Sequence, residues 1–236
     1  MDVYGELVRI GRVAALADVH VGVEIELRRR GIRVVDRTDD RIGKLRDRLE
    51  SLDPEVLVIV GDLKHNVPRS SGLELRGVPR LVEAALEVVD EVVVVKGNHD
   101  GRVEDLLRGL EDVRVVGTRG TLIEGVYFCH GHAEPDPDLL ERARMVVFGH
   151  EHPVSEAVPG VTVKVFLELE LDLGRLTRGE LEGRLPGLVL PAFDDVVGGT
   201  EVGEASSGER LLLAHRRDAV LEESVLPVPE PEAGPF

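Results

Sequence analysis

The chain has no glutamine, no tryptophan, a single cysteine and only two asparagines across 236 residues. Each shortage excludes something. One cysteine, Cys129, leaves no partner for an internal disulfide. No apolar run approaches the ~20 residues of a membrane span. The N-terminal MDVYGELVRI lacks the basic start and apolar centre of a secretory signal. The expected setting is therefore the cytoplasm, with no membrane partner. Basic residues are also in deficit: 29 Lys+Arg stand against 45 Asp+Glu, a net charge of −16. That balance excludes a protein that coats nucleic acid through a broad basic face, but not a local basic cluster. Few thermolabile side chains among many charged ones fit a chain adapted to heat or salt.

What is present is an alternation of apolar runs and amphipathic stretches. RVAALA (12–17), EVLVIV (55–60) and EVVVVK (91–96) read as buried strands. Residues 38–51 and 78–89 read as helices, the first with Ile42, Leu45 and Leu49 at helical spacing. Apolar strands alternating with helices predict a parallel sheet covered on both faces. Beyond residue 113 the pattern changes to short strands, and VTVKVFLELEL (161–171) alternates like a strand exposed on one face. The second half is thus expected to lean toward antiparallel sheet. LPVPEPEAGPF, from residue 226, is proline-rich and acidic and is expected to be a loose tail.

Five of the apolar runs end in polar groups. AALADVH delivers Asp18 and His20, LVIVGD delivers Asp62, and VVVVKGNHD delivers Asn98 and His99. VYFCHGH delivers His130 and His132, and MVVFGHEH delivers His150 and His152. In α/β sheets ligands collect beyond the carboxyl ends of strands. The spacing of two in Asp18/His20 and His150/His152 would place each pair on one face of an extended segment. These are nitrogen and oxygen donors suited to ions such as Mn, Fe or Zn. Cys129 points away from His130 if the strand is regular. Many ligands with a carboxylate among them suggest a pair of metals sharing a bridge, a device for phosphoryl chemistry. Asn98 is retained in an amide-poor chain because a neutral oxygen ligand is needed there.

The ordered motifs D-x-H, G-D, G-N-H-D, H-G-H and G-H-x-H resemble those of the calcineurin-like metallophosphoesterases. ADVHVGVEIELRRRGI, GDLKH, KGNHDG, HGHAEPD and LPAF…VGGT look like the archaeal SbcD-related subgroup, similar to the bacterial ligase-associated DNA-repair phosphoesterases. The resemblance covers residues 12–200. It implies a four-layer α/β/β/α sandwich with a dinuclear centre between its sheets. It further implies that Asp18, His20, Asp62 and His152 hold one metal. Asp62 would bridge to a second, completed by Asn98, His130 and His150. The two divalent ions would be Mn²⁺, with Fe, Zn, Co or Ni as alternatives. His99 would face the substrate off the metals, with Asp100 hydrogen-bonded to it. A hydroxide held at the metal pair would attack phosphorus in line with the leaving oxygen.

Around this set, Arg28, Arg29 and Arg30 form a dense basic cluster able to meet a polyanion or to lie on a solvated helix face. Lys64, His65 and Lys96 flank ligands and are candidates for phosphate contact; His132 is a candidate donor to a ligand or a turn. His215 is given no role. The expected domain spans 1–202, followed by an extension at 203–225 and the tail at 226–236. The expected function is a metal-dependent phosphodiesterase, including the case of a nuclease on single-stranded nucleic acid. The alternatives are a phosphomonoesterase on a small metabolite and a catalytically weak metal-binding scaffold.

Overall fold

Valine-rich strands set the frame. The computed structural model describes residues 1–202 and 217–229. The first part of the chain supplies β1 (Asp2–Tyr4), β2 (Leu7–Ile10), β3 (Val13–Leu16), α1 (Val23–Arg29), α2 (Thr38–Leu52), β4 (Val56–Val60), α3 (Gly72–Leu86), β5 (Glu91–Val95), α4 (Val103–Leu106) and β6 (Val113–Val116). Its strands form a sheet in the order β1-β2-β3-β4-β5-β6. Strands β3 to β6 run parallel, as the all-apolar runs predict, and β1–β2–β3 is an antiparallel meander at one edge.

The remainder supplies β7 (Thr121–Ile123), β8 (Val126–Cys129), α5 (Pro137–Glu141), β9 (Met145–Phe148), β10 (Pro153–Val158), β11 (Val161–Asp172), α6 (Leu173–Leu176), β12 (Arg184–Val189), β13 (Thr200–Glu201) and β14 (Val220–Pro227). They form a second sheet in the order β13-β10-β11-β12-β9-β8-β7, with β14 also paired to β11. The sheet leans antiparallel, as expected, with four antiparallel pairings, but three parallel ones make it mixed. Its central strands β8, β9 and β12 are parallel, because α5 provides the crossover from β8 to β9. The expected boundary of the tail also shifts: Leu226 and Pro227 lie in β14, opposite Phe166 and Val165. There β14 takes up backbone hydrogen bonds along one edge of β11. Residues 230–236, like the segment containing His215, lie outside the described residues.

Period-two alternation sorts the strand side chains into layers. Leu57, Ile59, Val92 and Val94 pack with Leu45, Leu49, Leu81, Val82 and Ala85 of α2 and α3. Val58, Val60, Val93 and Val95 pack instead against Phe128, Val147, Phe166 and Leu188 of the second sheet. Tyr127, Cys129, Phe148 and Leu171 face outward onto α5, α6 and Ala219. The result is the expected α/β/β/α order.

Helix α3 begins earlier than its apolar periodicity suggests. Ser71 and Glu74 close a capping box at its start, a pattern visible as S-x-x-E but masked by the nearby glycines and Pro79. Two ties cross between the sheets. Glu6, after β1, bonds Lys44 and Lys164, and both lysines also bond Asp195. Among the described residues no helix is long and apolar enough to cross a membrane.

Candidate metal centre

The five polar strand ends converge at the carboxyl edge of both sheets. Asp18 and His20 follow β3, where their amides bond Gly61 O and Asp62 O at 3.0 and 2.9 Å. Asp62 follows β4, Asn98 and His99 follow β5, His130 follows β8, and His150 and His152 follow β9. The pairs at spacing two are not in extended backbone. Asp18, His20, Asp62, His150 and His152 all have positive φ, between 45° and 75°. Tight left-handed turns, rather than a strand face, turn these side chains into one space. Gly61 and Gly97 allow the loops to meet: a Cβ at Gly61 would collide with the His130 ring, and one at Gly97 with the Asp62 side chain.

Each carboxylate uses one oxygen to hold a neighbouring loop. Asp18 Oδ2 accepts from His150 N at 2.9 Å, and Asp62 Oδ1 accepts from His99 N at 2.8 Å. The other oxygens face the ring nitrogens. Asp18 Oδ1, fully buried, lies 3.1 Å from His152 Nε2. Asp62 Oδ2 lies 3.4 Å from His130 Nε2 and 3.8 Å from His20 Nε2. Asn98 Oδ1 is 3.1 Å from His130 Nε2. Two triads result, Asp18/His20/His152 and Asp62/His130/His150, each with its ligand atoms within 4.8 Å of one another. His130 Nδ1 donates to Val60 O and His152 Nδ1 to Gly198 O, both at 2.9 Å, which turns each Nε2 inward.

The electrostatics ask for positive charge at this point. Burial alone would raise the carboxyl of Asp18, yet the charge and hydrogen bond of His152 hold it below its usual value. His130 acts likewise on Asp62. Burial opposes protonation of His130 and His152, but the adjacent aspartates push both up to about 9. Burial pulls His20 down to about 4. Two buried carboxylates facing a ring of imidazole nitrogens are a donor set that fits divalent cations. Cys129 Sγ lies in the outer core and takes no part.

The other expected residues divide. His99 lines the cavity and its Nδ1 donates to His65 O. Asp100 does not bond His99; its buried oxygens accept from the amides of Leu63, Lys64 and Gly97. It ties the two ligand loops together, and burial raises its pKa. Lys64 is fully buried and bonds the carbonyls of Asn66 and His99, so it reaches no substrate. His65 lines the cavity, but both ring nitrogens are engaged, with Glu26 and His20. Lys96 pairs with Glu104 at 2.7 Å. Of the arginines, only Arg30 lines the cavity; Arg28 bonds Val34 O and Arg29 is exposed. The His132 ring centroid lies 5.2 Å from that of His130, and burial lowers its pKa to about 4.

The cavity holds about 280 Å³, and its walls include Val23, Glu26, Leu27, Val196, Val197 and Gly198, none of which was given a site role from the sequence. The loop carrying the last three is anchored by a buried ion cluster. Asp194 Oδ1 accepts from Val196 N and Val197 N at 2.7 and 3.1 Å. Its Oδ2 accepts from Arg41 Nε at 2.7 Å, and Arg41 Nη1 donates to Glu24 at 2.6 Å. Arg41 and Asp194 are 153 residues apart. The sequence signal was an acidic pair directly after the apolar LPAF. The second asparagine is structural: Asn66 Nδ2 donates to Gly22 O and Glu74.

Comparison with known proteins supplies context. Residues 11–154 match the profile of the calcineurin-like phosphoesterases. Phosphodiesterase YfcE of Escherichia coli strain K12 is 31% identical over 105 residues, 42% of this chain and 56% of that protein. The chain therefore spans little more than half the length of this curated relative. The crystal structure of the nuclease MPE of Pseudomonas putida superposes with a TM-score of 0.54 and 25% identity. That match covers 83% of this chain and 82% of the nuclease. With the profile spanning most of the chain, both sheets in place and the two triads at their shared edge, the chain belongs to the calcineurin-like phosphoesterase family.

Proposed function

We propose that this chain is a phosphodiesterase dependent on two divalent cations, and that its substrate is the phosphodiester backbone of a nucleic-acid strand. The observation that carries the reading is the convergence of two triads, one of which includes Asp62, with Asp62 Oδ2 3.4 Å from His130 Nε2 of its own triad and 3.8 Å from His20 Nε2 of the other. Asp18, His20, Asp62 and His152 would hold one cation; Asp62, Asn98, His130 and His150 would hold the other. Their nitrogen and oxygen donors suit Mn²⁺. When bound, such ions neutralise phosphoryl oxygens and increase the acidity of water.

The chain's own groups do the rest. The tie from His99 Nδ1 to His65 O fixes the imidazole and leaves Nε2 for the substrate. In its doubly protonated form, with a second hydrogen on Nε2, it would give that proton to the departing alkoxide and be left as the neutral Nδ1–H imidazole. Arg30 at the cavity rim meets a flanking phosphate of the strand. Val23, Leu27, Val196 and Val197 offer an apolar wall for the attached nucleoside. The family name covers phosphate esters generally. The names of the relatives, a phosphodiesterase and a nuclease, support the diester reading.

The test is a screen of Mn²⁺-reconstituted protein on bis-p-nitrophenyl phosphate, p-nitrophenyl phosphate and labelled single- and double-stranded oligonucleotides. Turnover of the diester and of the single strand is expected to exceed that of the monoester. A chain active on monoesters alone would overturn the diester assignment.

A further inference from the structure

Glu26, His65 and His20 form a line of hydrogen-bonding atoms that runs from the surface into the candidate metal centre. Glu26 Oε2 lies 2.7 Å from His65 Nε2. His65 Nδ1 lies 3.2 Å from His20 Nδ1. His20 Nε2 then faces His152 Nε2 at 3.4 Å and Asp62 Oδ2 at 3.8 Å.

The proton positions along this line follow from the chemistry of its members. A carboxylate only accepts, so the hydrogen between Glu26 and His65 sits on His65 Nε2. A neutral imidazole carries one N–H, so His65 Nδ1 is a bare lone pair. Two bare nitrogens at 3.2 Å would repel, so His20 Nδ1 must carry a hydrogen and donate it to His65. His20 is left with its lone pair on Nε2, turned toward Asp62 and His152. Reversing the first hydrogen bond would reverse every tautomer behind it and place a hydrogen where a cation is to bind. The backbone reinforces the line: His65 N donates to Glu74 at 3.1 Å, and the His65 ring stacks on His99 with centroids 5.0 Å apart.

We propose that Glu26, acting through His65, is a positioning residue that sets the tautomer of His20 and so presents its Nε2 as a ligand. This rests on the reading of His20 as metal-holding. It also gives His65 a role of its own. With both nitrogens used in the line, His65 orients a ligand instead of touching substrate. Such outer partners of a ligating histidine fix its ring and raise its basicity.

The experiment uses the full chain, labelled with ¹⁵N and stripped of metal. Long-range ¹H–¹⁵N spectra report the tautomer of each histidine, with His20 and His65 assigned by single substitution. In the wild type His20 is expected as the Nδ1–H form and His65 as the Nε2–H form. Glu26→Ala should mix both tautomers. Glu26→Gln should keep them, because its amide oxygen still accepts. Glu26 is half-exposed on α1, so neither change threatens the core. Titration with Mn²⁺ should then show one of two sites weakened about tenfold in Glu26→Ala, the other unchanged, and both restored in Glu26→Gln. Unchanged tautomers and affinities in Glu26→Ala would overturn the proposal. So would a Zn²⁺-loaded spectrum with His65 Nδ1 itself as ligand, which would mark a separate His20/His65/His99 site. A wild type that binds fewer than two Mn²⁺ ions while showing the expected tautomers would overturn the metal reading and spare the tautomer chain.

Discussion

The two sheets furnish the centre differently. The first delivers both carboxylates and the amide, Asp18, Asp62 and Asn98, together with His20, from parallel strands buried everywhere but at Glu91. The second delivers only histidines, His130, His150 and His152, from a mixed sheet. Neither sheet alone completes either of the two triads that contain a carboxylate. Asp18 and His20 need His152, and Asp62 needs His130 and His150. The negative charge sits in one half and most of the nitrogen in the other, so the centre exists only while the sheets are packed. Cations bound there would act as fasteners between the halves.

The largest expected effect separates the two contributions. Asp62→Ala should empty both metal sites, because its Oδ2 lies between them, and should reduce diester turnover by roughly three orders of magnitude. His150→Ala, removing one member of one triad, should leave one ion bound. Elemental analysis checks both; two ions in Asp62→Ala would remove the bridging role. Next comes His99→Ala, which should keep both ions and lose about 10²-fold on an unactivated diester. The loss should be smaller on a nitrophenyl ester, whose leaving group needs little protonation. Equal losses on the two esters would leave His99 an electrostatic role only.

The fastening itself is testable by melting. At a hundredfold excess over Kd each site should add about 2.7 kcal/mol, so chelation should lower Tm in the wild type and have little effect on Asp62→Ala. An unchanged Tm after chelation would break the comparison. The cross-sheet ties through Glu6 should give a smaller, acid-sensitive effect. Burial would raise the Glu6 carboxyl, but Lys164 and Lys44 hold it below its usual value. A depressed folded pKa means stability present above the ordinary carboxylate range and lost as pH falls through the folded value. In metal-free protein, wild type should therefore lose roughly 1–2 kcal/mol more than Glu6→Gln between neutral pH and pH 3. Parallel acid curves would show that the ties contribute nothing. Smallest of all should be deletion of residues 228–236, expected to shift stability by less than about 0.5 kcal/mol. Deletion from residue 220 should cost more, since it strips β14 from β11.

The first sheet was also the more legible of the two. Runs such as VLVIV and EVVVV can be little else than buried parallel strands, and the seven residues that follow such runs lie at one shared edge of the sheets, five of them brought there by left-handed turns rather than by a strand face. The features that stay hidden depend on long-range contacts or on hydrogen bonds that leave no mark in composition. Glu26 reads as one more acid on an exposed helix until His65 arrives from 39 residues away. Lys64 reads as a phosphate contact until its ammonium is found between two backbone carbonyls. Asp100 beside His99 suggests a pair, yet the turn directs its carboxylate to backbone amides. Prolines in the final segment suggest a loose end, whereas edge strands tolerate them, and β14 accepts Pro227 at its terminus.

The five left-handed residues at the strand ends also bear on how such a site is lost over time. Each is a non-glycine in a conformation that costs an L-residue of order 1 kcal/mol, somewhat less for Asp. Without cations, that strain and the facing buried charges are pure liability to the fold. Mutational drift to glycine or asparagine at positions 18, 20, 62, 150 or 152 would relax the backbone, so selection for stability alone would erode these positions first. A lineage released from the need for cations there would therefore change first in these turns while its valine strands stayed as they are.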